Sequence, residues 1–135
     1  MKAKLVVIGG AVNALFVLFH IWLGWSLHHG AGLAPGARGL AEMLNLGGAL
    51  ALVFLAYASL ACRAEVGSTK LGTAVLGLAL AIYATRAAGE FVFSPTPRPA
   101  IAGVCAVVAA LYLTALLAPT PKTEVNSNEI PTPAK

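Results

Sequence analysis

An arginine and a glutamate lie four residues apart inside a long apolar stretch. Arg86 and Glu90 belong to the segment 71–93, which is otherwise almost wholly apolar and long enough to cross a bilayer. Four residues are about one helical turn, so on a helix both side chains point to one face and can pair. A charged side chain deep in a membrane costs on the order of 2.5–3.5 kcal/mol. The pattern therefore predicts that both face into a helical bundle, as its polar centre.

The pair has three possible chemical roles. In the first, Arg86 and Glu90 form a structural ion pair that fixes the register of neighbouring helices. In the second, they bind an anionic or polar head group or form part of a proton path. In the third, the side chains extend towards the membrane interface, for which Glu90 is shallow enough and Arg86 less so. The sequence leaves the three roles open.

Other polar side chains fall at similar depths when four straight helices are centred at residues 16, 51, 82 and 109 with a rise of about 1.5 Å per residue. From the midplane outward, the polar side chains of one half are His20 and Arg86 at about 6 Å, Asn45 at about 9 Å, Glu90 at about 12 Å and Glu42 at about 14 Å. Asn13 lies about 4–5 Å on the other side, and Tyr83 shares the stripe of Arg86. We expect an intramembrane polar pocket in the outer half of the bundle, lined by Arg86, Glu90, His20, Asn45, Tyr83, Asn13 and Glu42.

The three histidines admit several interpretations. His20 is a hydrogen-bonding group of the bundle, a titrating group near neutral pH, or a haem ligand. All three histidines lie in or just after the first apolar segment, so one chain cannot place two axial histidines on facing helices. Haem b would therefore require an oligomer or another type of ligand. His28 and His29 are weak candidates for a metal site, because no carboxylate or cysteine is near them in sequence.

The composition is that of a small membrane protein. Of the 135 residues, 59% are hydrophobic and 10% are charged, whereas soluble domains average about 25% charged residues. Four apolar segments, 5–27, 40–62, 71–93 and 100–118, each have the length of a transmembrane helix. The first is longer than the apolar core of a signal peptide and is expected to be retained. Short connections predict an all-α, four-transmembrane-helix up-down bundle over residues 1–118.

Charge placement predicts the orientation of the chain. The basic residues assigned to one side are Lys2, Lys4, Arg63, Lys70, Lys122 and Lys135, and those assigned to the other are Arg38 and Arg98. Since cytoplasmic loops carry the excess of lysine and arginine, both termini are expected in the cytoplasm of a multi-pass protein of the cell membrane. Residues 119–135 are rich in proline and polar residues and are expected to form a disordered cytoplasmic tail.

No enzymatic motif is apparent. The sequence has no phosphate-binding loop, no His-Glu-x-x-His and no serine-nucleophile motif, and Cys62 and Cys105 fall at depths too far apart for a disulfide.

The leading hypothesis is a non-enzymatic membrane protein that binds a lipid-like, quinone-like or other amphipathic ligand, or serves as an accessory subunit of a membrane complex. The alternative is a redox or proton-handling protein that uses His20 and Glu90. The expected partners are membrane lipids and other subunits, identical or different. Nucleic acid is not expected, because the basic residues are scattered at segment ends.

Overall fold

The computed structural model describes residues 1–30, 32–94 and 96–119, and within these ranges every regular element is a helix. The helices are α1 (Lys2–Gly30), α2 (Pro35–Leu60), α3 (Arg63–Ser68), α4 (Lys70–Val92) and α5 (Pro99–Leu117). Four of them, α1, α2, α4 and α5, are long and apolar enough to cross a membrane. The predictions of an all-α fold and of four apolar, membrane-length helices are confirmed. The predicted disordered tail lies, apart from Pro119, outside the described residues.

The helices do not end where the apolar segments end. α1 and α2 begin before the predicted segments 5–27 and 40–62, because a helical backbone continues through polar and glycine residues that hydropathy excludes. Pro35 and Pro99 each lie in the first turn of a helix. The backbone N–H that proline lacks would have no hydrogen-bond partner within the helix at this position. The predicted polar connection at 63–70 contains the short helix α3. α4 then begins with Thr69, whose side chain accepts a hydrogen bond from the backbone N–H of Gly72 at 2.9 Å.

The helices α1 and α2 form an antiparallel pair, here called the amino-terminal hairpin. Near one end Gly10 lies against Ser59, where an added Cβ would come within 2.9 Å of the Ser59 Cβ. Near the other end Nδ1 of His28 lies 3.0 Å from a carboxylate oxygen of Glu42. Small residues facing the neighbouring helix permit this close approach along most of the pair.

The helices α4 and α5 form a second pair, the carboxy-terminal hairpin. The rings of Tyr83 and Tyr112 stack across it with centroids 6.0 Å apart. α5 buries a stripe that runs almost its whole length, consisting of Ala102, Cys105, Val108, Ala109, Tyr112 and Ala115. The two hairpins meet where α1 packs on α5: a Cβ at Gly9 would lie 2.7 Å from the Tyr112 hydroxyl oxygen. Glycine at this position lets the tyrosine ring reach the α1 backbone.

Burial is unequal along the length of the molecule. In α1 every buried residue lies at or before Asn13, and in α2 every buried residue lies at or after Leu52. We call residues 1–13, 52–83 and 106–119 the closed half, and residues 14–30, 35–51, 84–94 and 96–105 the open half. In the open half α1 and α2 contact each other, but no residue of either is buried by the carboxy-terminal hairpin. Nowhere in the described part of the chain do Cα atoms of α1 and α4 approach within 8 Å.

We expect Gly72→Ala to destabilise the protein by about 1–3 kcal/mol, because a Cβ there would collide with the backbone of Val66, which cannot rotate away. Thermal unfolding in detergent would measure the change. Gly77→Ala is the matched control: its Cβ meets open space, and alanine is favoured over glycine inside a helix. Equal melting temperatures for the two variants would contradict the close contact of α3 with α4.

Candidate functional site

Asn13 is the centre of a buried hydrogen-bond network that joins three helices. Its Nδ2 donates to the hydroxyl oxygen of Tyr112 on α5 at 2.7 Å, and its Oδ1 accepts from the hydroxyl of Tyr83 on α4 at 2.6 Å. The amide and the Tyr112 side chain are fully buried, and Tyr83 is 3% exposed. A buried amide that gains both a donor and an acceptor partner avoids the penalty of unpaired polar groups. The network therefore holds α1, α4 and α5 in one register.

A second contact near this network lies within the amino-terminal hairpin, between α1 and α2. Ser59 of α2 is 1% exposed, and its Oγ has no hydrogen-bond partner among the described residues. It packs against Gly10 of α1, directly beside Gly9, which contacts the hydroxyl of Tyr112. All four long helices thus place a polar or glycine residue in the buried interior of the closed half.

Arg86 and Glu90 are paired but do not share an environment. The guanidinium lies 2.5 Å from a carboxylate oxygen of Glu90, as the spacing predicts, and the side chain of Glu90 is 6% exposed. The side chain of Arg86 is 53% exposed, so the prediction that it faces into the bundle is wrong. The residue that packs against the core at this level of α4 is Ala87, which directly follows Arg86. Since successive residues on a helix diverge by about 100°, Arg86 is turned to the surface.

His20 and Asn45 meet across the amino-terminal hairpin. Asn45 Nδ2 donates to the backbone carbonyl of His20 at 2.9 Å, and His20 Nδ1 lies 2.9 Å from the Phe16 carbonyl. The two side chains lie in the open half, but no hydrogen bond or ion pair among the described residues connects them with Arg86 or Glu90. Phe16 also contacts Tyr83, with ring centroids 5.7 Å apart, so His20 lies one turn beyond the tyrosine layer.

The geometry of His20 does not suit an axial haem ligand. A hydrogen bond to the Phe16 carbonyl places the proton on Nδ1 and leaves Nε2 as the nitrogen that would bind iron. Nε2 faces Gly48 of α2, where a Cβ would lie 3.1 Å away. This nitrogen therefore lies close to the backbone of the neighbouring helix.

His28 and His29 have different partners. Nδ1 of His28 faces Glu42 at 3.0 Å, and both side chains are well exposed. His29 stacks on Trp25 with ring centroids 4.0 Å apart, and its Nδ1 lies 3.0 Å from the Trp25 carbonyl. Within the described ranges, no group of three or more His, Cys, Asp or Glu side chains is placed to hold a metal ion. Glu42 is thus brought to a histidine at the end of the hairpin, away from Arg86.

Two open, mainly apolar grooves indent the surface. One, of about 400 Å³, lies between α1 and α2, and the other, of about 190 Å³, lies between α2, α3 and α4. None of the nine residues singled out from the sequence for ligand or metal binding lines either groove. The polar side chains thus lie in a buried network and on open surfaces, apart from both grooves.

Tyr112 is the member of the buried network that was not among the predicted pocket residues, although it shares a stripe of the fourth apolar segment with Cys105. It lies three residues beyond the centre of the fourth apolar segment, which is about 4.5 Å on the inner side of the midplane. Asn13 was placed at about the same depth, so the depth estimate could have joined the two. Gly9 shares the helical stripe of Asn13, which favours close approach of a neighbouring helix, but neither Gly9 nor Gly48 indicates in sequence which side chain it admits.

Comparison of the chain with protein-family models, with curated proteins and with solved structures finds no match. Its function must therefore be inferred from the placement of its own side chains.

We expect Asn13→Leu to lower the free energy of unfolding by about 1–3 kcal/mol, because two buried tyrosine hydroxyls lose their partner. Tyr83→Phe tests the pair directly. In a double-mutant cycle with Asn13→Leu, measured by unfolding in detergent, we expect a coupling energy of about 0.6–1.7 kcal/mol. Asn45→Leu, combined with Tyr83→Phe, is the control and should give no coupling. Strictly additive effects of Asn13→Leu and Tyr83→Phe would rule out the network.

Proposed function

We propose that the chain is a four-span integral membrane protein, an up-down bundle with both termini in the cytoplasm, which binds an amphipathic ligand in the outer half of the membrane. The four apolar helices and their antiparallel pairs support the topology. The distribution of basic residues supports the orientation: Lys2, Lys4, Arg63 and Lys70 lie at the closed end, and Arg38 and Arg98 at the open end. In this orientation the open half is the outer half.

The unequal burial supports a site in this half. A bundle that only had to hold itself together would bury a stripe along the whole of each helix. Here the fully buried residues of the amino-terminal hairpin lie at or before Asn13 and at or after Leu52, with Phe16 and Val17 partly buried against the core. Beyond these residues both hairpins offer apolar surface to lipid tails or to the tail of a bound amphiphile.

The observation that carries the proposal is the half-exposed guanidinium of Arg86, held by the buried carboxylate of Glu90. Glu90 lies about 13 Å along the axis from the centre of α4, close to the edge of a hydrocarbon core of about 30 Å. The side chain of Arg86 extends towards the same depth as Glu90. Among the described residues, Glu90 is its hydrogen-bonding partner. The remaining N–H groups of the guanidinium need acceptors at a depth where water is scarce.

A lipid or quinone head group could supply such acceptors at this depth. In the proposed complex Arg86 binds the head group and Glu90 orients Arg86. His20, Asn45 and Glu42 present polar groups from the amino-terminal hairpin. Tyr83 and Asn13 close the inner limit of the site. The ligand tail lies along apolar surface of the open half.

An accessory subunit of a membrane complex is the second candidate. Apolar surface of the open half that would accept a ligand tail would also accept the helix of another subunit, and Trp22 and Trp25 of α1 are both exposed in this half. The redox or proton-handling alternative has less support, because His20 lies against Gly48 and forms no hydrogen bond or ion pair with Glu90 among the described residues.

We expect purified protein to carry a stoichiometric amphiphile that the double variant Arg86→Gln, Glu90→Gln loses. Both residues are changed so that no unpaired carboxylate stays buried in the variant. Native mass spectrometry of the detergent-solubilised protein would measure occupancy. Arg98→Gln, an arginine at the same end but outside the span, is the control and should retain the amphiphile. Equal occupancy in the double variant and the parent would refute the proposal.

We expect Cys62 to react with a membrane-impermeant maleimide in inverted membrane vesicles and not in right-side-out ones. Cys62 lies half-buried at the closed end, which the proposed topology places in the cytoplasm. Cys105 is buried and should stay unlabelled on both sides, and Cys62→Ser provides the background. Labelling of Cys62 from the outside would reverse the proposed orientation.

A further inference from the structure

Resting on the proposed function, we infer that the Arg86 site selects an amphiphile whose head is an uncharged hydrogen-bond acceptor, such as a carbonyl group, over one with an anionic head. The inference depends on the geometry of the ion pair. The guanidinium and the carboxylate are in direct contact, so the site has no net charge. An exposed arginine alone would favour an anion; this one is already neutralised.

The burial of Glu90 makes this neutralisation permanent. Its side chain is 6% exposed, and it lies on the stripe of α4 that packs into the bundle. It cannot turn away to leave Arg86 to another anion. An anionic head would therefore share the guanidinium with a fixed like charge, or would separate the pair and leave a buried carboxylate without its counter-ion. Both arrangements oppose anion binding.

A carbonyl oxygen meets neither obstacle. It accepts a hydrogen bond from a guanidinium N–H that Glu90 does not use, and Arg86 keeps its counter-ion. Among the described residues the other charged groups of the open half are Arg38 and Glu42 in the amino-terminal hairpin, where Glu42 pairs with His28, and Arg98 at the start of α5; none of them forms an ion pair with Arg86 or Glu90. The balance at the head-group position is therefore set by Arg86 and Glu90.

Two membrane components share this chemistry: quinones, and neutral glycerolipids with ester carbonyls. Both carry uncharged acceptors on an apolar tail. The site chemistry is the same for both, and the choice between them is made by the shape of the tail and head.

The experiment is a titration of detergent-solubilised protein with three probes, followed by native mass spectrometry. The probes are decylubiquinone, dioleoylglycerol and dioleoylphosphatidylglycerol. The parent should bind at least one of the two neutral probes about tenfold more tightly than the anionic lipid, and the neutral probe that binds identifies the source. This comparison needs no variant, so it remains decisive if a variant fails to fold.

Glu90→Gln provides the second test. It changes the site from neutral to singly positive with nearly the same shape, so affinity for phosphatidylglycerol should rise by about tenfold. Glu65→Gln removes an exposed carboxylate at the closed end, outside the proposed site, and should leave all three affinities unchanged. The double variant Arg86→Gln, Glu90→Gln should lose specific binding of every probe.

The outcomes separate the inference from the proposed function. If the parent prefers phosphatidylglycerol and the double variant loses it, the selectivity is overturned and the ligand site stands. If Glu90→Gln leaves the preference unchanged, the charge-balance inference is overturned. If the double variant binds all probes as the parent does, both the inference and the proposed function are overturned.

Discussion

The amide of Asn13 holds three helices together at one point. It accepts from Tyr83 and donates to Tyr112, in a layer where all three side chains are buried. An apolar interior gives helices little reason to prefer one register over another, whereas a buried amide with two specific partners permits only one. The close approach of Gly9 to the Tyr112 hydroxyl belongs to the same constraint, since any larger residue would separate α1 from α5.

The position of this layer accounts for the shape of the molecule. In the closed half, side chains from both hairpins pack together in one core. On the other side the amino-terminal hairpin keeps its own antiparallel contacts, at Gly48 and at Glu42, but is not covered by the carboxy-terminal hairpin. Two hairpins joined at one end and uncovered at the other present apolar surface beside a fixed polar boundary. That arrangement suits a bound amphiphile or a partner helix.

The Arg86–Glu90 pair has a different character from the buried network. Glu90 is fixed by burial and Arg86 is fixed by Glu90, so the arginine is held at the surface in a defined position. Its charge is balanced, but its hydrogen-bonding capacity is not used up. The pair is therefore an ion pair with an exposed donor.

The sequence by itself determined the four long helices, because continuous apolar segments of this length and the prolines between them admit few other structures. It also determined that Arg86 and Glu90 pair, since their spacing on a helix brings them together whatever surrounds them. Only the tertiary structure decided which of the two is buried. That depended on the core stripe passing through Ala87, a difference of one residue that helical periodicity alone cannot resolve. It likewise decided that Asn13 binds two tyrosines while His20 meets Asn45, because which stripes face each other depends on how the helices are rotated and packed.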